Sequence, residues 1–241
     1  MKQLVSKTPS TNTLLAQMAQ QQELPDLFTL YTFRQTAGRG QRGNTWESED
    51  YKNLTFSTLF HLEHLPVQEQ FRLSQIVPLA IKNVLDQYTD NIYIKWPNDI
   101  YWKDKKICGI LIEHTIMDNT ITQSIAGIGL NINQKQFISD APNPVSLSQI
   151  TGQEYNLETI LDQIIEQFNA LKPLLNEPEK LKQLYFASLY RKECFYPYCA
   201  DNETFEAQIV DVADNGLITL QLRNGTKRQF AFKEITYLFN I

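Results

Sequence analysis

Three cysteines, three histidines and no long apolar run mark this chain of 241 residues. Cys108, Cys194 and Cys199 cannot make a paired disulfide framework. A reducing cytoplasm is therefore the expected compartment. No stretch approaches the roughly 20 apolar residues that span a bilayer, and the polar-broken start from Met1 to Lys7 has no signal-peptide core. No membrane partner is expected. A basic excess is missing as well: 22 Lys and Arg face 27 Asp and Glu, for a net charge of −5. That weighs against a nucleic-acid surface, which needs clustered cations. His61 and His64 fall in His-Leu-Glu-His, not in a zinc-binding His-Glu-x-x-His, and are expected at a strand end on the surface. There is no internal repeat and no low-complexity segment. What remains is an ordinary globular composition, 42% hydrophobic and 20% charged. The length suits one large domain or a main domain with a small partner.

The patterning divides the chain. Ser10 or Thr11 is suited to cap a helix carrying Leu14, Leu15, Met18 and Ala19. Residues 26–33, 53–62, 91–96, 107–116 and 120–128 read as strands, the fourth interrupted at Gly109. Residues 67–88 read as a long amphipathic helix kinked or broken at Pro78. Residues 157–171 and 179–190 read as further helices. After Arg191 come short strands at 204–212, 217–222 and 227–232, separated by Asn215-Gly216 and Asn224-Gly225, both tight-hairpin signals. The expected division is residues 1–191 and a small antiparallel β barrel or sheet over 192–241.

Two stretches carry chemistry. Residues 34–46 alternate Gly38, Gly40 and Gly43 with Arg39 and Arg42. Such a loop offers backbone N–H groups and guanidinium forks to a phosphate. It lacks the Gly-Lys-Ser/Thr of a P-loop and the spacing and following helix of a dinucleotide fingerprint. Lys95-Trp96-Pro97-Asn98-Asp99 with Lys105–Glu113 places two ammonium groups, an amide and a carboxylate at one strand end and the next hairpin. Pro97 stops the first strand by removing a ladder donor. Gly127 and Gly129 close the strand that leads to Asn131 and Asn133. Residues 134–146 form a polar loop suited to ordering on binding, and mobility without ligand is expected there and over 36–46.

Four blocks resemble the biotin–protein ligases, in the family's order and spacing: Ser10-Thr11-Asn12; residues 35–43; residues 95–99 with 106–113; and residues 127–133. The resemblance implies an α+β fold, a mixed sheet flanked by helices like that of class II aminoacyl-tRNA synthetases, with a C-terminal SH3-like β barrel. It implies that biotin and ATP form biotinyl-5′-AMP, and that biotin then passes to a lysine of a biotin carboxyl carrier protein, magnesium accompanying the nucleotide. On that resemblance Lys106 meets the biotin carboxylate and the α-phosphate, and Arg39 and Arg42 line the phosphate loop. Ser10, Thr11, Asn12 and Gln35 face the ureido ring. Gly38 and Gly109 admit close backbone approach, and Trp46 walls the pocket. Lys95, Asn98 and Asn131 belong with the adenylate, and Asp99 serves as base or electrostatic guide for the incoming lysine, whose free pKa is about 10.4. No metal ligand is assigned.

Two departures from the family pattern stand out. Gln41 and Asn44 occupy positions that are commonly basic, so looser retention of the adenylate is expected, or compensation by Lys95 and Lys106. The first block begins at residue 10, leaving no room for a helix-turn-helix unit, so no operator DNA partner is expected. The chain is expected to be a monomer or homodimer. The alternatives are a lipoate/octanoate–protein ligase, with a greasier pocket, and a non-catalytic biotin-binding module.

Overall fold

The computed structural model describes residues 1–138 and 143–239, apart from the side chains of Arg42 and His64. The chain runs β1 (Lys2–Leu4), α1 (Thr11–Gln21), β2 (Thr29–Thr32), β3 (Leu54–Pro66), α2 (Phe71–Leu85), β4 (Ile92–Lys95), β5 (Asp99–Trp102), β6 (Lys105–Met117) and β7 (Thr120–Leu130). It continues through α3 (Leu147–Thr151), α4 (Leu157–Leu171), α5 (Pro178–Ala187), β8 (Tyr196–Ala200), β9 (Glu203–Val212), β10 (Ile218–Leu222), β11 (Lys227–Phe230) and β12 (Thr236–Tyr237). None of the described helices is long and apolar enough to cross a membrane.

Seven strands form one mixed sheet in the order β1-β2-β3-β7-β6-β5-β4. Only β1 and β2 pair in parallel. The two-residue period of the strands sorts their side chains between two faces. Phe56 and Phe60 of β3, Ala126, Ile128 and Leu130 of β7, and Cys108 and Ile110 of β6 join the main core, together with α2, α4 and α5. The other face buries a smaller cluster, in which Leu59 and Ile125 meet Leu15 of α1. That second face also carries Ser57, Gly127, Gly129, Gly109, Leu111 and Glu113. Gly109 lies opposite Gly129, and Ser57 and Leu111 both lie opposite Gly127. The register thus gathers three glycines onto a floor beside α1.

Several elements differ from expectation. β2 starts only at Thr29, because Leu27 adopts a left-handed backbone (φ 57°) that a strand cannot hold. β6 runs through Gly109 without a break. Pro78 sits buried inside an unbroken α2, although its ring removes one helical donor. α5 ends at Ala187, and the chain beyond it pairs along β4 through Ser188, Leu189 and Tyr190. His61 lies within β3, half-buried, with Nε2 2.9 Å from the Leu24 carbonyl oxygen, rather than at an exposed strand end. His64's side chain and residues 139–142 of the polar loop lie outside the described residues.

The C-terminal strands form a five-stranded antiparallel sheet, β11-β10-β9-β8-β12. Of the expected barrel or sheet, it is the antiparallel sheet: among the described residues no ladder joins β11 to β12 to close a barrel. With only two residues, β12 pairs with β8 alone. The aromatic and aliphatic residues of this sheet are continuous with the main core. Trp96 donates its indole N–H to the Gly216 carbonyl at 3.0 Å. Arg191 stacks on Tyr190, Tyr196 and Phe239 and donates to the Leu238 carbonyl. The end of β4 is therefore clamped by the second sheet.

Candidate active site

A cavity of about 710 Å³ opens over the glycine floor. α1 closes one end of it. Ser10 caps that helix, accepting from the Thr13 N–H. The backbone N–H and hydroxyl of Thr11 both donate to Gln35 Oε1, at 2.9 and 3.3 Å. Ser57 contacts Thr11 Oγ1 at 2.7 Å and Asn12 Oδ1 at 2.5 Å. The Asn12 amide donates to Glu113 at 2.8 Å and to the Leu111 carbonyl at 3.3 Å. Thr11, Asn12 and Ser57 are buried. Gly127 is what admits Asn12: a Cβ there would stand 2.1 Å from Asn12 Oδ1.

The glycine- and arginine-containing loop forms a second wall. It folds back on itself, with Gly40 N–H bonded to Asn44 O at 2.7 Å and Trp46 N–H to Gly38 O at 3.0 Å. Trp46 then lies flat against the floor. A Cβ on Gly109 or Gly129 would come within 2.7 or 2.2 Å of the indole. A Cβ on Gly38 would meet the Trp46 backbone at 2.6 Å. Buried Trp46 Nε1 has no hydrogen-bond partner among the described residues.

The charged groups gather at the mouth. Lys106 Nζ bonds Asp99 Oδ2 at 2.7 Å, and Arg39 Nη2 reaches Glu113 at 3.2 Å. The Gln41 amide bonds Asn98 Oδ1 at 3.3 Å and the Ile110 carbonyl at 3.4 Å. Phe232 and Lys233, from the second sheet, complete the lining. Lys106 is also tied to the polar loop, its backbone pairing with Asn143 and Val145.

Of the residues singled out from sequence, Ser10, Thr11, Asn12, Gln35, Arg39, Trp46, Asn98, Asp99, Lys106 and Gly109 converge on this cavity. Gly38 adjoins it through Trp46. The Arg42 side chain lies outside the described residues. Lys95 is not in the lining: its ammonium stands 4.5 Å from the Tyr237 ring and 5.5 Å from that of Tyr101. Burial lowers its pKa, Asp99 raises it, and Lys106 and Arg191 lower it further. Asn131, just past the end of β7, is buried and outside the lining, donating to the Val145 carbonyl, with Oδ1 unpartnered among the described residues. Sequence reasoning passed over Ser57, Tyr101, Phe232 and Lys233 and gave Glu113 no role. Ser57 alone left a local signal, a hydroxyl in the polar alternation of an otherwise apolar strand.

Among the described residues no group of three or more His, Cys, Asp and Glu side chains could hold a metal. Asp99 and Asn98 are the oxygen donors beside the charged mouth. They suit a magnesium ion that arrives on a nucleotide's phosphates better than one held by the protein alone.

A sequence profile of the Biotin/lipoate A/B protein ligase family matches residues 4–131. The chain is 31% identical over 158 residues to the bifunctional ligase/repressor BirA of Escherichia coli, covering 61% of this chain and 49% of that protein. It is 33% identical over 141 residues to the biotin–[acetyl-CoA-carboxylase] ligase of Mycobacterium tuberculosis, covering 54% and 49%. The chain thus spans about half the length of these curated relatives. The fold is similar to that of the Aquifex aeolicus biotin protein ligase solved with biotin and ATP: the TM-score is 0.77 at 22% identity, over 98% of this chain and 97% of that one.

Proposed function

The chain belongs to the Biotin/lipoate A/B protein ligase family, and we propose that within it the chain is a biotin–protein ligase. It joins biotin to ATP as biotinyl-5′-AMP, releases pyrophosphate, and passes the biotinyl group to a lysine of a biotin carboxyl carrier domain. The observation that carries this reading is the cavity itself. Four sequence-distant blocks meet there, with neutral hydrogen-bonding groups at one end and cations at the other. A ureido ring, with one carbonyl and two N–H groups, matches the Thr11, Gln35, Asn12 and Ser57 end. A carboxylate attacking an α-phosphate needs the cationic end.

Lys106 leaves Asp99 to meet the carboxylate and the phosphorus as charge develops between them. Arg39 turns from Glu113 to the adenylate. With Lys106 drawn away, Asp99 is free to guide and deprotonate the carrier lysine in the second step. Asp99 and Asn98 would hold a magnesium ion carried on ATP, which would supply charge neutralisation at the phosphates. Arg42, Lys95 and Asn131 keep their proposed place with the nucleotide; Lys95 and Asn131 stand outside the present lining, so this requires that they come into it. Residues 1–191 form the catalytic unit and 192–241 the SH3-like accessory unit. The three cysteines, all free, suit a reducing cytoplasm.

The test is incubation with biotin, ATP and magnesium without carrier, followed by mass spectrometry. Wild type should hold biotinyl-AMP, and Lys106→Ala much less. Octanoate or lipoate outcompeting biotin would overturn the substrate assignment. Bound biotin without adenylate would reduce the chain to a binding module.

A further inference from the structure

Among the described residues, the charged side chains lining the cavity are Arg39, Asp99, Lys106 and Lys233. Arg39 is engaged by Glu113 and Lys106 by Asp99. Lys233 has no carboxylate partner among the described residues; its ammonium stands 5.9 Å from the Phe232 ring. Gln41 and Asn44, which face the same space, are neutral. Among the described residues, a triphosphate entering here would meet two cations already neutralised and one that is not.

Lys233 comes from the second sheet, on the turn between β11 and β12. That turn is fixed from within. The Ala231 N–H donates to the Glu234 carboxylate at 2.6 Å, and the Glu234 N–H donates to the Ala231 carbonyl at 3.1 Å. Lys233 is thereby held at φ 73°, a left-handed backbone that lysine disfavours. Backbone of this kind persists where surrounding structure enforces it, and it clusters at functional positions. Phe232 packs edge-on against Trp96 at 6.0 Å, so the turn is seated on the residue that precedes Pro97, Asn98 and Asp99. Lys106 is half-buried and tied to Asp99, whereas Lys233 is exposed at the rim. The reacting carboxylate and α-phosphate belong with Lys106, which leaves the rest of the triphosphate to extend toward the rim.

On the ligase reading above, we propose that Lys233 binds the β- and γ-phosphates of ATP and the departing pyrophosphate. It supplies, from the second sheet, charge that the neutral Gln41 and Asn44 do not supply from the loop. No bond is made or broken by Lys233; it holds the leaving group as the α–β phosphoanhydride breaks.

The full chain and its Lys233→Ala and Lys233→Arg variants would be compared by biotin-dependent exchange between ATP and pyrophosphate. Lys233→Ala should raise KM for both ATP and pyrophosphate about tenfold, the loss of one charge-assisted contact. Biotin affinity and melting temperature should hold, and Lys233→Arg should recover most of the loss. No biotinyl-AMP from the unmodified chain would overturn the ligase reading and this inference with it. Adenylate formation by wild type, with KM for ATP unchanged in Lys233→Ala, would overturn the inference alone. So would a defect confined to transfer from preformed adenylate, which would move Lys233 to the carrier surface.

Discussion

At one end of the cavity buried Thr11, Asn12 and Ser57 bond one another and half-buried Gln35; at the other, Lys106, Asp99, Arg39 and Glu113 sit in half-exposed ion pairs, Glu113 also accepting from Asn12. The first end is already built. Its hydroxyls and amides are held by protein partners, so a ligand meets donors and acceptors whose positions are fixed. The second end is stored in a form that must come apart. Each cation bonds a carboxylate that a phosphate or carboxylate ligand would replace, and an exposed pair is worth only about 0.2–1 kcal/mol. Charge-assisted bonds to a ligand anion are stronger. On the proposed ligase reading, the contrast would separate recognition of a neutral ring, resting on rigidity, from activation, resting on exchange of ionic partners.

Removing Lys106, the cation that the proposed adenylation would need, should break the charged end hardest. Lys106→Ala is expected to slow adenylate formation by about 10²–10³-fold, the scale of losing one transition-state donor. Biotin affinity should fall far less, because the neutral end is intact. Single-turnover formation of biotinyl-AMP with parallel calorimetry of biotin binding separates the two. Equal losses in both would mean that the ends do not act separately.

The neutral end should break through its floor. Gly127→Ala puts a methyl where Asn12 Oδ1 now lies, at 2.1 Å. Asn12 must then leave Ser57, Glu113 and Leu111, a loss of about 1–3 kcal/mol for buried groups left unpaired. Biotin affinity should fall about tenfold or more and the melting temperature should drop. Unchanged biotin binding would show that Asn12 is dispensable to the ring site.

How far these two ends were legible in the sequence follows the same division. The Ser10 cap and α4 are local patterns, and they lie where the periodicity puts them. Gly109 signalled close approach, but nothing local to it, Gly127 or Gly129 says that Trp46 and Asn12 are what approach them. Those contacts join residues that are distant in the chain, and their identity depends on register. Ser57 sits opposite Gly127 only because β3 and β7 pair as they do. The short elements β1, α3, β8 and β12 were missed, since a few residues carry too little pattern to outweigh propensity. Lys233 reaches the cavity through the packing of a second sheet, and no motif near it says so.

Restoring charge to the loop should sharpen the contrast. Gln41 now rests its amide on Asn98 and the Ile110 carbonyl, a neutral latch beside the charged mouth. Gln41→Arg is expected to slow release of biotinyl-AMP about tenfold, the gain of one charge-assisted contact. Dissociation of radiolabelled adenylate from wild type and variant measures it directly. No slowing would show that the loop charge is irrelevant to retention.

The smallest effect, and the finest test of stored ion pairs, comes from Glu113. It holds Arg39 through a pair whose side chains are 49% and 44% exposed, and it also accepts from the Asn12 amide. Glu113→Gln keeps an acceptor for Asn12 and weakens the grip on Arg39. If Arg39 is stored there for the nucleotide, ATP should bind the variant about two- to fivefold more tightly, the weight of one exposed pair. Biotin affinity should hold, because the neutral end keeps its bond. High salt should erase most of the difference between the two proteins, since exposed pairs are screened. A weaker affinity for ATP in Glu113→Gln would reverse the argument: the carboxylate would then be aiming Arg39 at the nucleotide rather than withholding it, and the charged end would be as preorganised as the neutral one.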